Sequence, residues 1–268
     1  MRSAAKILTL AAVVGVSCTS APEAPVEVRA GGPPRIRPSV VARHAREFDR
    51  DLARRPPGSQ DEAAAATYIL GHLQRAGYVV RLVAVPVADL VSSIDLVALP
   101  VRDSAPSAVV ATAYDSDSPP SVQGGAAIGL FLELGRALNA ADPKHTVELV
   151  ALGAEHAEIG GGHLGSRRLV GLLEDSGDKP LVLTIEPGPP VPPGRVRVLG
   201  EAEGLAATAR ELGIRISSAP AGSSREDAPA ASRHRLFSAA GLQHAGVFGA
   251  AEDVGPLLLE YLSAREPS

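Results

Sequence analysis

The sequence lacks tryptophan, has one cysteine and contains few aromatic residues, and each of these shortages limits what the chain can be. Aromatic residues make up 3% of the 268 residues, whereas apolar residues make up 45%. A core must therefore be packed mainly with Ala, Val and Leu, although the apolar fraction is that of a globular protein rather than a disordered one. Because Cys18 is the only cysteine, an intrachain disulfide is excluded.

Clusters of positive charge and nucleophile motifs are also missing. The formal net charge is −4, and no run of Lys and Arg is interleaved with aromatic residues, so we expect no nucleic-acid partner. No G-x-S-x-G motif occurs, and the only thiol lies near the N-terminus. Serine and cysteine nucleophile mechanisms therefore lack support.

Residues 1–18 have the pattern of a signal peptide. Arg2 and Lys6 supply positive charge, and the apolar run over 7–16 is too short to span a bilayer permanently. Cys18 follows this run directly, as in a bacterial lipoprotein cleavage site, although Gly15 stands where a lipobox usually has Leu. The pattern predicts a lipoprotein anchored at the bacterial cell envelope through Cys18. The alternatives are a secreted or periplasmic chain, with Cys18 in a discarded leader.

The chain then divides into a tether and one domain. Residues 19–38 are rich in Pro, Ala, Gly and Glu without an apolar period, which is typical of an extended tether. Residues 39–268 suit a single domain in length. We predict helices and strands that alternate along this domain. The helices are expected over 40–52, 62–76, 124–138, 164–173, 201–212 and 257–262, and the strands over 78–87, 94–101, 108–113, 146–152, 181–186 and 195–199, with short strands near 213 and 245.

This alternation predicts a single three-layer α/β domain. A central, mostly parallel mixed sheet is expected, with helices on both faces and ligands beyond the carboxyl ends of the strands. Ser59 or Asp61 can cap the second helix, and Gly77 can end it.

Six short segments, in this order along the chain, resemble one protein family: 55–59 (RPPGS), 113–116 (AYDS), 132–138 (LELGRAL), 153–156 (GAEH), 164–166 (LGS) and 232–234 (SRH). They are similar to the bacterial leucyl aminopeptidase type of zinc exopeptidase. That family also contains glutaminyl cyclases, glutamate carboxypeptidases and the non-peptidase ectodomain of transferrin receptor. The resemblance covers residues 53–262 and implies the same α/β fold.

The resemblance also implies a two-zinc site whose ligands are largely replaced. The family's general-base glutamate corresponds to Glu155, and Asp115 corresponds to the aspartate that orients a histidine ligand. The five ligand positions fall on Ala113 for His, Gln123 for the bridging Asp, His156 for Glu, Glu186 for Asp, and Gly249 for His.

This degenerate ligand set leads to three hypotheses. A catalytic zinc needs about three protein ligands, and only His156 and Glu186 remain capable, so no cofactor is expected. The first hypothesis is an inactive aminopeptidase-like protein that acts in binding or scaffolding, with a peptide or an envelope protein as its partner. The alternative is a single-metal zinc exopeptidase that releases N-terminal residues from peptides, with Glu155 as general base. The third is a purely structural protein with a filled cleft.

Other polar residues have simpler interpretations. Asp115 and Asp117 could bind a hard cation, but the Asp-Ser-Asp-Ser sequence is also typical of a solvated turn, which we favour. His156 and His163 could join Glu155, Glu158 or Glu186 in a rearranged single-metal site, but surface or hydrogen-bonded histidines are the simpler expectation. For His234, a structural role is favoured because Arg233 replaces the family's aspartate beside it. The glycines at 124, 125 and 129 do not have dinucleotide-binding spacing.

Overall fold

A computed structural model describes residues 34–101, 104–116, 124–157, 161–188, 191–218 and 228–264. The predicted signal peptide with Cys18, most of the predicted tether, Asp117 and Gln123 lie outside these ranges.

Eight strands form one sheet with the order β1-β2-β4-β3-β5-β8-β6-β7. They are β1 (Val79–Ala88), β2 (Val91–Leu99), β3 (Pro106–Ala113), β4 (Thr146–Leu152), β5 (Leu181–Ile185), β6 (Arg195–Gly200), β7 (Arg215–Ser218) and β8 (His244–Phe248). The central strands β4, β3, β5 and β8 are parallel to one another, as are β6 and β7, while β1–β2, β2–β4 and β6–β8 are antiparallel. The predicted mixed, mostly parallel sheet is confirmed.

The central strands are mostly apolar because both of their faces are covered. In β3, Val110 packs into the core on one face of the sheet, while Val109 and Ala111 pack into the core on the other. In β4, Leu149 packs into the same core as Val110, and Val150 packs into the core on the opposite face. Successive residues of a strand point to opposite faces of the sheet, so a strand with both faces buried does not alternate between polar and apolar residues. The short apolar runs in the sequence therefore predicted central strands correctly.

The helices cover both faces and complete three layers. They are α1 (Pro38–Arg46), continued by a π-helical turn (Glu47–Asp51), α2 (Gln60–Arg75), α3 (Gly125–Ala141), α4 (Leu164–Ser176), α5 (Leu205–Glu211), α6 (Ala228–Ala239) and α7 (Ala251–Ala264). Helices α1, α2, α3, α5 and α7 bury the larger core, and α4 and α6 contribute to the core on the opposite face. Across the described ranges, no helix is long and apolar enough to cross a bilayer.

Helix α2 begins and ends where the sequence predicts. The Ser59 hydroxyl accepts a hydrogen bond from the backbone N–H of Glu62 (3.1 Å), and the Glu62 carboxylate accepts one from the N–H of Gly58 (2.6 Å). These two bonds satisfy backbone donors at the helix start. Gly77 follows the helix with a φ of 94°, in the left-handed region that favours glycine.

Two helices differ from the prediction. Helix α6 was not predicted, because its sequence contains Pro229, Ser232 and a basic run, and therefore shows no clear apolar period. Its inward face carries Phe237 together with a buried Arg233. Helix α7 contains the predicted residues 257–262 and extends back to Ala251, where Pro256 inside the helix obscures the pattern.

The folded domain begins earlier than the predicted tether boundary at residue 38. Ile36 packs against the core, and Arg37 is bound to Glu133 of α3 through its backbone N–H (3.0 Å) and its guanidinium (2.7 and 3.0 Å). The Glu133 side chain is only 1% exposed and needs positive partners, which Arg37 and Arg136 supply. Residues 36–38 therefore pack with the domain.

Candidate functional site

The loop after β4 carries Glu155, and buried carboxylates hold it in place. The backbone N–H of Gly153 donates to Asp95 of β2 (2.9 Å), and the N–H of Ala154 donates to Glu62 of α2 (3.2 Å). A Cβ atom on Gly153 would lie 2.2 Å from the hydroxyl oxygen of Ser93. Only glycine fits at this position, so the chain turns tightly at the end of the strand.

The Glu155 carboxylate lies at the start of α4. Its Oε1 accepts the backbone N–H of Ser166 (2.6 Å), and its Oε2 lies 3.2 Å from Nδ1 of His163. A carboxylate in this position satisfies an unpaired helix N–H and interacts favourably with the helix dipole. Gly165 makes the approach possible, because a Cβ atom there would lie 2.4 Å from the carbonyl oxygen of Gly153.

A buried arginine from α6 joins Glu155 to Glu186. Nε of Arg233 donates to Oε2 of Glu155 (2.8 Å), and its Nη1 contacts both carboxylate oxygens of Glu186 (2.6 and 2.5 Å). The Arg233 side chain is 3% exposed, as is that of Glu186, and the side chain of Glu155 is fully buried. One cation therefore neutralises two carboxylates that follow two different strands, β4 and β5.

Within the triad of Glu155, Arg233 and Glu186, the pKa values of Glu155 and Arg233 are shifted in the direction that keeps both groups charged. Burial alone would raise the pKa of Glu155, but the charge of Arg233 and the hydrogen bonds from His163 and Ser166 hold it well below its usual range. Burial alone would lower the pKa of Arg233, but Glu186 and Glu155 raise it. The ion pair between Glu155 and Arg233 therefore persists across the physiological pH range.

His156 pairs with Asp115 rather than with the triad. The Asp115 carboxylate accepts the backbone N–H of His156 (2.7 Å) and lies 3.3 Å from its Nδ1. Burial lowers the pKa of His156, but the hydrogen bond and charge of Asp115 outweigh it and raise the pKa overall. The prediction that Asp115 lies in a solvated turn is wrong, because this residue is only 3% exposed. Its carboxylate binds the backbone of His156 in the loop after β4.

These residues do not fit a zinc ion. Ala113 ends β3 and Gly249 follows β8, and neither has a donor side chain. Glu186 is bound to Arg233, and His156 is paired with Asp115. Among the residues that the structure describes, no group of three or more His, Cys, Asp or Glu side chains could hold a metal ion, and a catalytic zinc needs about three such ligands.

His234 lies in a separate polar contact. Its Nδ1 is 3.0 Å from Nδ1 of His244, whose Nε2 is 3.0 Å from the hydroxyl of Thr184. Burial, which is the largest effect, together with the charges of His234 and Arg233, lowers the pKa of His244 to about 3. These contacts tie α6 to β8 and β5, as expected for a structural histidine.

A cavity of about 280 Å³ remains at the carboxyl ends of β5 and β8. Its wall is mostly small and apolar, with Ala126 and Leu130 from α3 and Val254 from α7, and it includes Glu186 and Gly249. Glu155 and His156 do not line it. The cavity therefore lies on the Glu186 side of the triad, and aliphatic groups form most of its wall.

Sequence reasoning missed Arg233 as the centre of the site. The signal was present, because the family's Ser-Asp-His segment reads Ser-Arg-His here, and a carboxylate had been replaced by a cation. The sequence did not indicate where α6 lies in the fold, because this segment was not predicted as a helix. Glu155 and Glu186, which the sequence did single out, are brought together by the fold.

Solved structures of bacterial exopeptidases share this fold. The Legionella pneumophila LapA aminopeptidase superposes with a TM-score of 0.69 at 12% identity, over 86% of this chain and 72% of that chain. A Zn-dependent exopeptidase from Parabacteroides distasonis gives 0.66 at 13% identity, over 87% and 100%. The Bacteroides thetaiotaomicron glutaminyl cyclase bound to N-acetylhistamine gives 0.66 at 14% identity, over 88% and 100%.

These similarities confirm the predicted zinc-exopeptidase-like fold. No family model and no curated protein matches the chain. At such low identity the solved structures establish the architecture alone, and the chemistry has to be inferred from the site.

Replacing Arg233 by methionine should destabilise the protein by about 3–5 kcal/mol at pH 7, because two buried carboxylates lose their cation. The ionised Glu155 carboxylate stabilises the native protein above its usual pKa of about 4.3, and this stabilisation is lost as pH falls through its lowered pKa. The difference in the free energy of unfolding between the native protein and Arg233→Met should therefore become smaller below pH 4. Urea unfolding at pH 7 and pH 3.5 measures this difference.

Arg50→Met is the matched control for that substitution, since the Arg50 side chain is 75% exposed and its loss should leave the free energy of unfolding nearly unchanged. Adding Glu155→Gln and Glu186→Gln to Arg233→Met should recover part of the loss, since no unpaired charge is then buried. A loss of the same small size for Arg50→Met and Arg233→Met would contradict the central role of Arg233.

Proposed function

We propose that this chain, which has the fold of the bacterial zinc exopeptidases, is a non-catalytic lipoprotein of the cell envelope that binds a peptide or another protein. The observation that carries the proposal is the buried contact of Arg233 with both Glu155 and Glu186. These two carboxylates stand at the positions that the family resemblance assigns to the general base and to one metal ligand.

The environment of Glu155 is unsuited to proton transfer. Its two oxygens already accept hydrogen bonds from Ser166 and Arg233, and its pKa is held far below neutrality. A general base works best when its pKa lies near the working pH and it can reach the proton that it abstracts. The pKa of Glu155 does not meet the first condition, and hydrogen bonds tie its two oxygens to the start of α4 and to Arg233.

The alternative of a single-metal exopeptidase would require Glu186 and His156 to converge on one ion. Glu186 uses both oxygens on Arg233, while His156 faces Asp115. Forming a metal site would break the ion pair of Glu186 and leave Arg233 with one partner in a buried position, which is costly. This arrangement supports the non-catalytic reading over the exopeptidase reading.

The cavity beside Glu186 supports a binding role over a purely structural one. A volume of about 280 Å³ is close to the lower end of ligand pockets, which is about 300 Å³. Its aliphatic wall suits an apolar side chain, and its position beyond the strand ends is where open α/β sheets bind ligands. We therefore expect the partner to present a peptide segment with an aliphatic residue.

The native chain should hold no stoichiometric zinc and should hydrolyse no aminopeptidase substrate. Metal content is measured by mass spectrometry on protein beginning at residue 19 without a histidine tag, and zinc titration calorimetry should show no binding tighter than about 1 µM. Leucine p-nitroanilide is the activity probe, with excess zinc as a control. Tight stoichiometric zinc together with turnover that Glu155→Gln abolishes would establish the exopeptidase alternative instead.

Filling the cavity should weaken peptide binding. Ala126 is exposed in the first turn of α3 and lines the cavity, so Ala126→Phe should lower the affinity for a leucine-ended tripeptide by about 10-fold or more. Ala64→Phe, at an exposed alanine of α2 away from the cavity, is the control. Calorimetry or fluorescence anisotropy with a labelled peptide measures the effect. Equal binding by the native protein and both variants would argue against this cavity.

Attachment to the membrane is part of the same proposal. If Cys18 is lipidated, Cys18→Ser should move the protein from the membrane fraction to the soluble fraction of a bacterial host and should abolish incorporation of radiolabelled palmitate. A single chain gives only marginal anchoring, whereas a fully lipidated N-terminal cysteine holds a protein firmly. Membrane fractionation unchanged by Cys18→Ser would exclude this anchor.

A further inference from the structure

Three exposed arginines on α1 and α2 form a basic face, although the sequence shows no run of basic residues. Arg43 and Arg46 lie on α1, and Arg75 is the last residue of α2. Arg43 and Arg46 are three positions apart, so their side chains leave α1 on the same side. Among the described residues, no carboxylate forms an ion pair with any of the three.

An aromatic cluster beneath the basic face holds α1 against α2. Nδ1 of His44 is 2.7 Å from the hydroxyl of Tyr68, and the rings of His44 and His72 meet edge to face with their centroids 4.5 Å apart. The guanidinium of Arg75 is folded back over α2, since a Cβ atom on Gly71 would lie 3.4 Å from its Nη1. Packing between the two helices therefore brings their arginines to a common surface.

The positive charge of this surface acts on the cluster below it. Burial, which is the largest effect, and the charges of His44, Arg75 and Arg43 lower the pKa of His72 to about 4. Both arginines also act on Tyr68, where they oppose burial and the charge of Glu47. The charges of Arg43 and Arg75 are therefore felt together at one place on the surface.

The chemistry of the basic face suits phosphate groups. A guanidinium presents parallel N–H donors that match two phosphate oxygens, which an ammonium group does not. All three cations of the face are arginines, and their donors are free to bind a ligand from solution. The chain as a whole has a net charge of −4, so attraction to an anionic surface would be confined to this face.

The predicted tether joins the domain beside the basic face. Arg35 is exposed, and the following residues Ile36 and Arg37 are fixed against the core and Glu133. Only 17 positions separate Cys18 from Arg35, a length that spans at most about 60 Å when fully extended. A lipid on Cys18 would therefore keep the basic face near the headgroups, where arginines add to the attachment given by acyl chains.

We propose that the basic face of Arg43, Arg46 and Arg75 docks on the anionic phospholipid headgroups of a bilayer, so that α1 and α2 lie against the membrane. The inference rests on the proposed function only in placing the chain at a membrane of the cell envelope. It depends neither on lipidation of Cys18 nor on the partner that the cavity binds.

Cosedimentation with vesicles tests the docking on the unlipidated chain beginning at residue 19. The native chain should bind vesicles that contain equal parts of phosphatidylglycerol and phosphatidylcholine, and should lose this binding on pure phosphatidylcholine or in about 0.5 M NaCl. Arg43→Gln/Arg46→Gln/Arg75→Gln should lower the partition coefficient by about 10-fold or more, since each arginine near an anionic surface contributes about fivefold.

Arg167→Gln/Arg210→Gln/Arg215→Gln is the matched control, because it removes the same charge from exposed positions of α4, α5 and β7. It should bind vesicles like the native chain, and both triple variants should keep the native Tm within about 2 °C, since exposed side chains are replaced. An equal loss of binding in both variants, or native binding that does not require phosphatidylglycerol, would overturn the proposal. Fractionation of the full-length Cys18→Ser chain in about 0.5 M NaCl tests the lipid anchor separately, so the two failures are distinguishable.

Discussion

The arrangement of this protein at the carboxyl edge of its sheet depends on one buried guanidinium. Parallel strands bring their ends together at this edge, and in this chain two of those ends carry glutamates, Glu155 and Glu186. Two buried negative charges are tolerable only with a cation between them. Arg233 supplies that cation from α6, and it thereby fixes the helix, the loop after β4 and the end of β5 relative to one another.

A cation supplied by a side chain differs chemically from one supplied by a metal. A guanidinium offers only N–H donors, has no open coordination position and is never deprotonated in a protein. It can neutralise carboxylates as a metal does, but it cannot lower the pKa of a bound water or polarise a carbonyl as a Lewis acid. A guanidinium can therefore offset the buried charges of Glu155 and Glu186, but it supplies no Lewis-acid chemistry of its own.

Other buried carboxylates in the domain are accommodated in different ways. Glu133 is bound by two arginines, and Glu62 accepts from two backbone N–H groups and a serine hydroxyl. Asp95 lacks such a cation in contact, and burial raises its pKa well above its usual value, which favours the neutral acid. Asp95 and Glu62 accept backbone N–H groups of the loop that carries Glu155, so the position of this loop is set by polar contacts as well as by packing.

The sequence by itself determined the layered α/β architecture, because apolar strands such as β4 and capped helices such as α2 depend on local patterns. It also identified Glu155 and Glu186 through the order of short segments. Only the tertiary structure decided what these carboxylates contact. Arg233 lies 78 positions from Glu155, on a helix without an apolar period. The ion pair forms only when α6 meets the ends of β4 and β5, and a local sequence pattern cannot predict such a contact.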